Sequence, residues 1–192
     1  RESGFGNMHA EDPLMNRRVL AMSLALLLPL AAAAEVKQSA ADGAIIEHRF
    51  QVSASPDVAW SALTHPERWW PSDHTWSGNA ANMRLRAEAG ACFCENWGDN
   101  SAEHGRVIMA LPGKLLRING ALGPLQEMAV TGVLSIQLAA KDGGTEATVT
   151  YRLSGDASHK LDAFIPVVDK VIGQQFGSFA SFASGPGARP AP

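Results

Sequence analysis

Residues 161–182 read LDAFIPVVDKVIGQQFGSFASF. Phe164 and Ile165 are followed by Val168, Ile172, Phe176, Phe179 and Phe182 at spacings of three or four. That is the period of one broad helix face. Pro166 should start or kink the main body of this helix, because proline removes an N–H and crowds the preceding turn. So wide an apolar stripe must be covered, and what precedes it is rich in strand patterns.

Immediately upstream, AVTGVLSIQLA (129–139) and TEATVTYRL (145–153) flank Lys141-Asp142-Gly143-Gly144, the strongest hairpin signal in the chain. Further back, EHGRVIMA (103–110) and KLLRING (114–120) are joined through Pro112-Gly113, a turn dipeptide. ACFCENW (91–97) follows Gly90 as another strand. NMRLRAEA (82–89) alternates Met83, Leu85 and Ala87 against Arg84, Arg86 and Glu88, so one face is buried and one is wet.

At the head of the domain, AIIEHRFQV (44–52) suits a first strand. Ser55-Pro56-Asp57 supplies an N-cap, a proline for the first turn and an acid beside it, so a helix follows through Val58, Ala59, Ala62 and Leu63. His65-Pro66 stops it. ERWWPSDHTWSG (67–78) predicts a short second helix and a long loop. The expected fold is α+β: short helices after the first strand, five or six antiparallel strands, and a curved sheet wrapped around a long C-terminal helix.

The ends of the chain divide from this domain by composition. Residues 1–14 lack apolar periodicity and precede the first plausible start, Met15; they are expected to be upstream or non-native sequence. Arg17-Arg18 and the uncharged run VLAMSLALLLPLAAAA (19–34), with Ala32 and Ala34 in an A-x-A arrangement, describe a secretory signal at 15–34. The run is shorter than the roughly 20 apolar residues that span a bilayer, so no stable membrane span is expected after cleavage. The domain then covers 35–183, with a disordered Pro/Gly-rich tail at 184–192, and the expected location is periplasmic or secreted. Sixteen basic and nineteen acidic side chains give a net charge of −3. The chain carries no basic stripe of the kind nucleic-acid binders use, so nucleic acid is not expected as a partner.

SASPDVAWSAL, ERWWP, AEAGACFCENW, EHGRVIMALPGKLLRINGALGPLQ, GGTEATVTYRLSG and LDAFIPVVDKVIGQQF together resemble the START-related helix-grip superfamily (SRPBCC, birch-pollen-allergen-like). Within it they are similar to the branch named after activators of the Hsp90 ATPase. The resemblance runs over roughly residues 44–183. It implies a helix-grip fold with a cavity between sheet and final helix that holds a small hydrophobic or amphipathic ligand. Relatives include lipid carriers, polyketide aromatase/cyclases and the co-chaperone domain. An exported protein meets neither Hsp90 nor ATP, so here a co-chaperone label would come from the family name alone.

The only two cysteines are Cys92 and Cys94. Two residues apart on a regular strand, they share a face with Cα atoms about 6.7 Å apart and side chains parallel, which disfavours a mutual disulfide. A zinc site would have to recruit His74 and His104 from other segments. Two reduced, packed thiols are therefore expected, with neither a metal nor a cofactor.

With the cysteines on one face, Phe93, Glu95 and Trp97 share the other, which carries Glu95 into apolar surroundings where a carboxylate needs partners. His104 and Arg117 are the expected partners. Glu95 reads either as a polar anchor or general base, or as a structural acceptor for a hydroxyl, backbone N–H or arginine. Trp69, Trp70 and Trp76, with His74 among them, are expected at the cavity mouth. His48 and His159 carry no motif, and no nucleophile-plus-base pattern is present. The expected ligand-binding set is thus Trp69, Trp70, His74, Trp76, Phe93, Glu95, Trp97, His104 and Arg117, with no catalytic residue assigned. The first alternative is a polyketide cyclase-like enzyme that uses Glu95 and His104 as acid and base. The second is a protein-interaction module.

Overall fold

The structure is a computed structural model that describes Gly4 and residues 34–188. Residues 1–14, the signal-like segment up to 33 and the last four residues lie outside this account, apart from Gly4. The compact unit holding residues 34–188 is built from eight strands and two α-helices. In chain order these are β1 Ala34–Ala40, β2 Gly43–Val52, α1 Pro56–Leu63, β3 Met83–Leu85, β4 Cys92–Trp97, β5 Asn100–Leu111, β6 Leu115–Asn119, β7 Thr131–Lys141, β8 Gly144–Ser154 and α2 Leu161–Ser184.

All neighbouring strands are antiparallel, in the order β1-β2-β8-β7-β6-β5-β4-β3. One face of the sheet wraps α2. Ile46, Phe50 and Val52 of β2, Leu134 and Ile136 of β7 and Val149 of β8 bury against Ile165, Ile172, Phe176 and Phe179 of α2 in one continuous core. This is the curved sheet around a C-terminal helix expected from the stripe, and it has the helix-grip arrangement that the resemblance implies.

Local chemistry behaves as the sequence predicts at several points. Ser55 caps α1 by accepting from the Val58 N–H, with Pro56 in the first turn. Asp142 and Gly143 both take positive φ at the β7–β8 turn, the requirement of a tight hairpin. Pro166 lies inside α2 and the helix runs through it.

Other expectations are corrected. β1 pairs with β2 in a hairpin that the sequence reading missed. The expected second helix is replaced by single 3-10 turns at Pro66–Arg68 and Ser72–His74. Pro66, Pro71 and two buried indoles leave no room for a longer helical run: Trp69 donates to the Ala62 carbonyl (2.9 Å) and Trp70 to the His74 carbonyl (3.0 Å). The tail does not begin at Ser184. That residue ends α2, Pro186–Ala188 forms a further 3-10 turn, Ala188 is buried, and Arg68 donates to the Gly187 carbonyl (2.6 Å). Phe164, expected in the buried stripe, is exposed.

Candidate ligand site between the sheet and α2

β4 sets the site. Along it Phe93 and Glu95 point inward and are buried, whereas Cys92 and Cys94 are half-buried on the outer face. Pairing with β5 is interrupted just after Phe93: Phe93 stands opposite Gly105, but Cys94 stands opposite Glu103. His104 is the extra residue of a β-bulge. A bulge lets two successive residues share a face, so His104 and Gly105 are both buried. A side chain on Gly105 would meet Ile118 Cγ2 at 2.7 Å and the Asn119 carbonyl at 2.8 Å, so glycine is what allows the inward turn.

His104 Nε2 lies 3.1 Å from Glu95 Oε2, and Glu95 is fully buried. The Glu95 carboxylate also accepts the backbone N–H groups of Trp76 (3.0 Å) and Ser77 (2.5 Å). Burial pushes this carboxyl up. The hydrogen bonds from Ser77, Trp76 and His104 outweigh burial and hold it below the usual carboxylate range. A carboxylate can only accept, so Nε2 carries the proton and Nδ1 is left with a lone pair. Burial lowers the pKa of His104 more than its hydrogen bond and charge interaction with Glu95 raise it, which keeps the ring neutral near pH 7.

In front of His104 opens a cavity of about 370 Å³. Val167, Val168, Val171 and Ile172 of α2 form one wall. Leu122, Leu125 and Met128 from the β6–β7 connection form another. Trp70, Trp76 and His74 close a third side. Trp76, Phe164 and Val167 are exposed and rim the opening. Tyr151 supports the floor: its hydroxyl donates to the Gly120 carbonyl (3.0 Å) and accepts from the Leu122 N–H (2.9 Å), while burial drives its pKa up and keeps it a phenol. Two polar groups of the lining are buried without a hydrogen-bond partner among the described residues, Gln175 Oε1 and His74 Nδ1.

Of the expected site residues, Trp70, His74, Trp76 and His104 line the cavity. Phe93 and Glu95 stand behind them, Phe93 with its ring 5.3 Å from both Trp70 and His104. The other three belong elsewhere. Trp69 packs into the core on Phe176 and Phe179. Trp97 is half-buried at the end of β4, away from the lining. Arg117 lies on the opposite face of the sheet and donates to Ser135 Oγ (3.0 Å), because its inward neighbours on β6 are Leu116 and Ile118. Gln175 and Tyr151 were missed. Gln175 had a visible signal, a polar residue three positions from Ile172 and four from Phe179 on the apolar face of α2.

The cysteine expectation is also corrected. Cys92 and Cys94 are joined in a disulfide, with Cα atoms 5.4 Å apart. Opposite the bulge in β5 the Cα pair lies closer than the about 6.7 Å of a regular strand, near the middle of the disulfide range. Strand and disulfide therefore coexist. His104 faces inward while the sulfurs face outward, so a shared Cys/His metal centre is ruled out by geometry. Glu103 is the one further ligand type within 4.8 Å of the sulfurs among the described residues, and it pairs with Arg106. His48 is likewise more than the motif-free residue of the sequence: buried in β2, its Nε2 bonds Asp169 of α2 at 2.8 Å.

No family model and no curated protein matches the chain. Solved structures do. A Rhodobacter sphaeroides protein aligns at a TM-score of 0.54 with 19% identity, covering 78% of this chain and 97% of its own. A Chromobacterium violaceum protein aligns at 0.52 with 16% identity, covering 73% and 97%. The di-domain ARO/CYC StfQ of the steffimycin biosynthetic pathway aligns at 0.51 with 14% identity, covering 74% of this chain and 51% of that one. At these identities the likeness is one of backbone architecture: this chain has the helix-grip fold.

Proposed function

We propose that the chain binds a small hydrophobic or amphipathic molecule in the cavity between the sheet and α2. One observation carries this reading: an apolar chamber of about 370 Å³ whose lining holds buried polar groups without partners among the described residues. Such groups cost free energy until something fills their hydrogen bonds. The volume falls in the range of small-molecule sites. Native mass spectrometry of the protein purified from its own host should find a stoichiometric adduct that organic solvent removes. A ligand-free mass, together with no change in tryptophan fluorescence on titration with apolar probes, would reject the reading.

The enzyme alternative has one observation in its favour, the 3.1 Å contact of His104 with Glu95. A carboxylate that fixes a neutral imidazole with its second nitrogen free is a general-base arrangement. It would serve proton abstraction from a bound carbonyl compound, as in polyketide cyclisation. Deuterium uptake from solvent at the central carbon of an added β-diketone, lost in His104→Phe, would support it.

We further propose that the domain acts outside the cytoplasm and derives from the Hsp90-activator-like branch of the helix-grip superfamily without that branch's co-chaperone role. The signal-like segment at 15–34 supports export. The Cys92–Cys94 disulfide agrees with it, since such bonds persist in oxidising compartments. The intact mass of the exported product should correspond to a chain beginning near Glu35.

A further inference from the structure

The chemistry of the cavity's polar end goes further than its apolar walls. We propose that the ligand is electrically neutral and carries a hydroxyl group at its buried end, a phenol or alcohol in place of a carboxylate or an amine. This rests on the cavity reading above and names the ligand class for that same site.

Among the described residues the lining contains no lysine and no arginine. A carboxylate entering it would lose its hydration with no cation to replace it, and Glu95 lies fully buried directly behind His104. An ammonium group fares no better. Glu95 has spent its charge on two backbone N–H groups and the His104 ring, and the acid of the lining itself, Asp73, is exposed.

Beside His74, two groups of the lining are left for a ligand, and both are uncharged. His104 Nδ1 is an acceptor with no partner among the described residues, because Nε2–H is committed to Glu95. Gln175 is 3% exposed, lines the cavity and makes no hydrogen bond among the described residues. Its amide can both accept and donate. Both groups line the same cavity, and a hydroxyl suits either, since its hydrogen can go to an acceptor while its oxygen accepts from an amide N–H.

Gln175 is unfavourable to the empty protein. Leucine at this position would continue the apolar stripe of Ile172, Phe176 and Phe179 and remove an unpaired buried amide, so the empty protein should tolerate it well. A residue that costs stability when the site is empty and is chemically suited to the ligand is what a specificity group looks like.

The test uses the full chain and four matched probes: 4-hexylphenol, 4-hexylbenzoate, 4-hexylbenzylamine and hexylbenzene. At about pH 7.5 the phenol is neutral, the benzoate anionic and the amine cationic. Binding is followed by the fluorescence of Trp70 and Trp76, which line the cavity, and by calorimetry. The phenol should bind about tenfold or more tighter than either charged probe, and tighter than hexylbenzene by about three- to tenfold. In Gln175→Leu the melting temperature should hold or rise and hexylbenzene should bind at least as tightly, while the phenol loses most of its advantage over it. Benzoate or benzylamine binding as tightly as the phenol would overturn the proposal and leave the cavity reading intact. So would a phenol advantage that survives in Gln175→Leu. Failure of all four probes to bind a folded protein would remove the cavity reading and the proposal together.

Discussion

Glu95 Oε2 lies 3.1 Å from His104 Nε2, and the same carboxylate holds the backbone N–H groups of Trp76 and Ser77. One buried charge therefore ties β4 to β5 and both to the loop that closes the cavity. Its three donors are what make burial of the charge tolerable. Of the two roles open to Glu95 from sequence, acceptor for backbone N–H groups is the one this geometry supplies, and it reaches the cavity only through His104.

Glu95→Gln should accordingly act on stability. The side chain keeps its shape, but its NH2 group faces a donor wherever it turns, leaving at least one N–H unpaired. Urea denaturation should show a loss of about 1–3 kcal/mol with the far-UV spectrum preserved, and the Trp76 and Ser77 amides should exchange faster. Unchanged stability and exchange would mean that Glu95 does not hold this loop.

The pH dependence of stability should carry the signature of His104. Its ordinary pKa is 6.5 and folding lowers it. The unfolded chain therefore takes up a proton that the folded protein refuses. The contribution is complete above about pH 6.5 and is lost as pH falls through the lower folded pKa. Glu95, lowered from 4.5, adds a second loss below that value. Melting temperature should be level from about pH 8 to 7 and decline below about 6.5. His104→Gln should remove the first decline and keep the second; an unchanged profile would show that another group titrates there.

Two glycines of α2 should respond in opposite senses to alanine. A Cβ on Gly173 would lie 2.9 Å from His48 Cε1, and that ring is buried, stacked on Phe50 and bonded to Asp169. On Gly177 the nearest atom is 4.0 Å away. Alanine is favoured over glycine inside a helix by about 1 kcal/mol. Gly177→Ala should therefore stabilise by up to that amount, while Gly173→Ala should destabilise by about 1–3 kcal/mol through overpacking. Thermal melts of the two variants check this directly.

The disulfide predicts a thiol count. Alkylation of the denatured, unreduced protein should modify neither cysteine, and alkylation after reduction should modify both. The Cys92→Ser, Cys94→Ser double variant should keep the fold, because the ring spans only one intervening residue and constrains little of the unfolded chain. Two reactive thiols without reductant would restore the reduced pair expected from a regular strand.

The helix-grip fold was legible because its signals are local and repeat: the cap at Ser55, the positive-φ turn at Asp142-Gly143, the two-residue alternation of the strands and the three-to-four spacing from Ile165 to Phe182. The inward phase of Phe93 and Glu95 followed from the same alternation. What the sequence could not reveal was the bulge at His104. A bulge changes the count between two strands, so it depends on the partner's register and not on the pattern of either strand. That single extra residue places His104 beside Glu95 on the inner face of the sheet. The same holds for the division of labour between neighbouring tryptophans, Trp69 into the core and Trp70 onto the cavity, since only the position of α2 distinguishes them. Local periodicity thus determined which segments fold and against what, while the packing of distant strands and the closing helix decided which polar groups meet and which are left for a ligand.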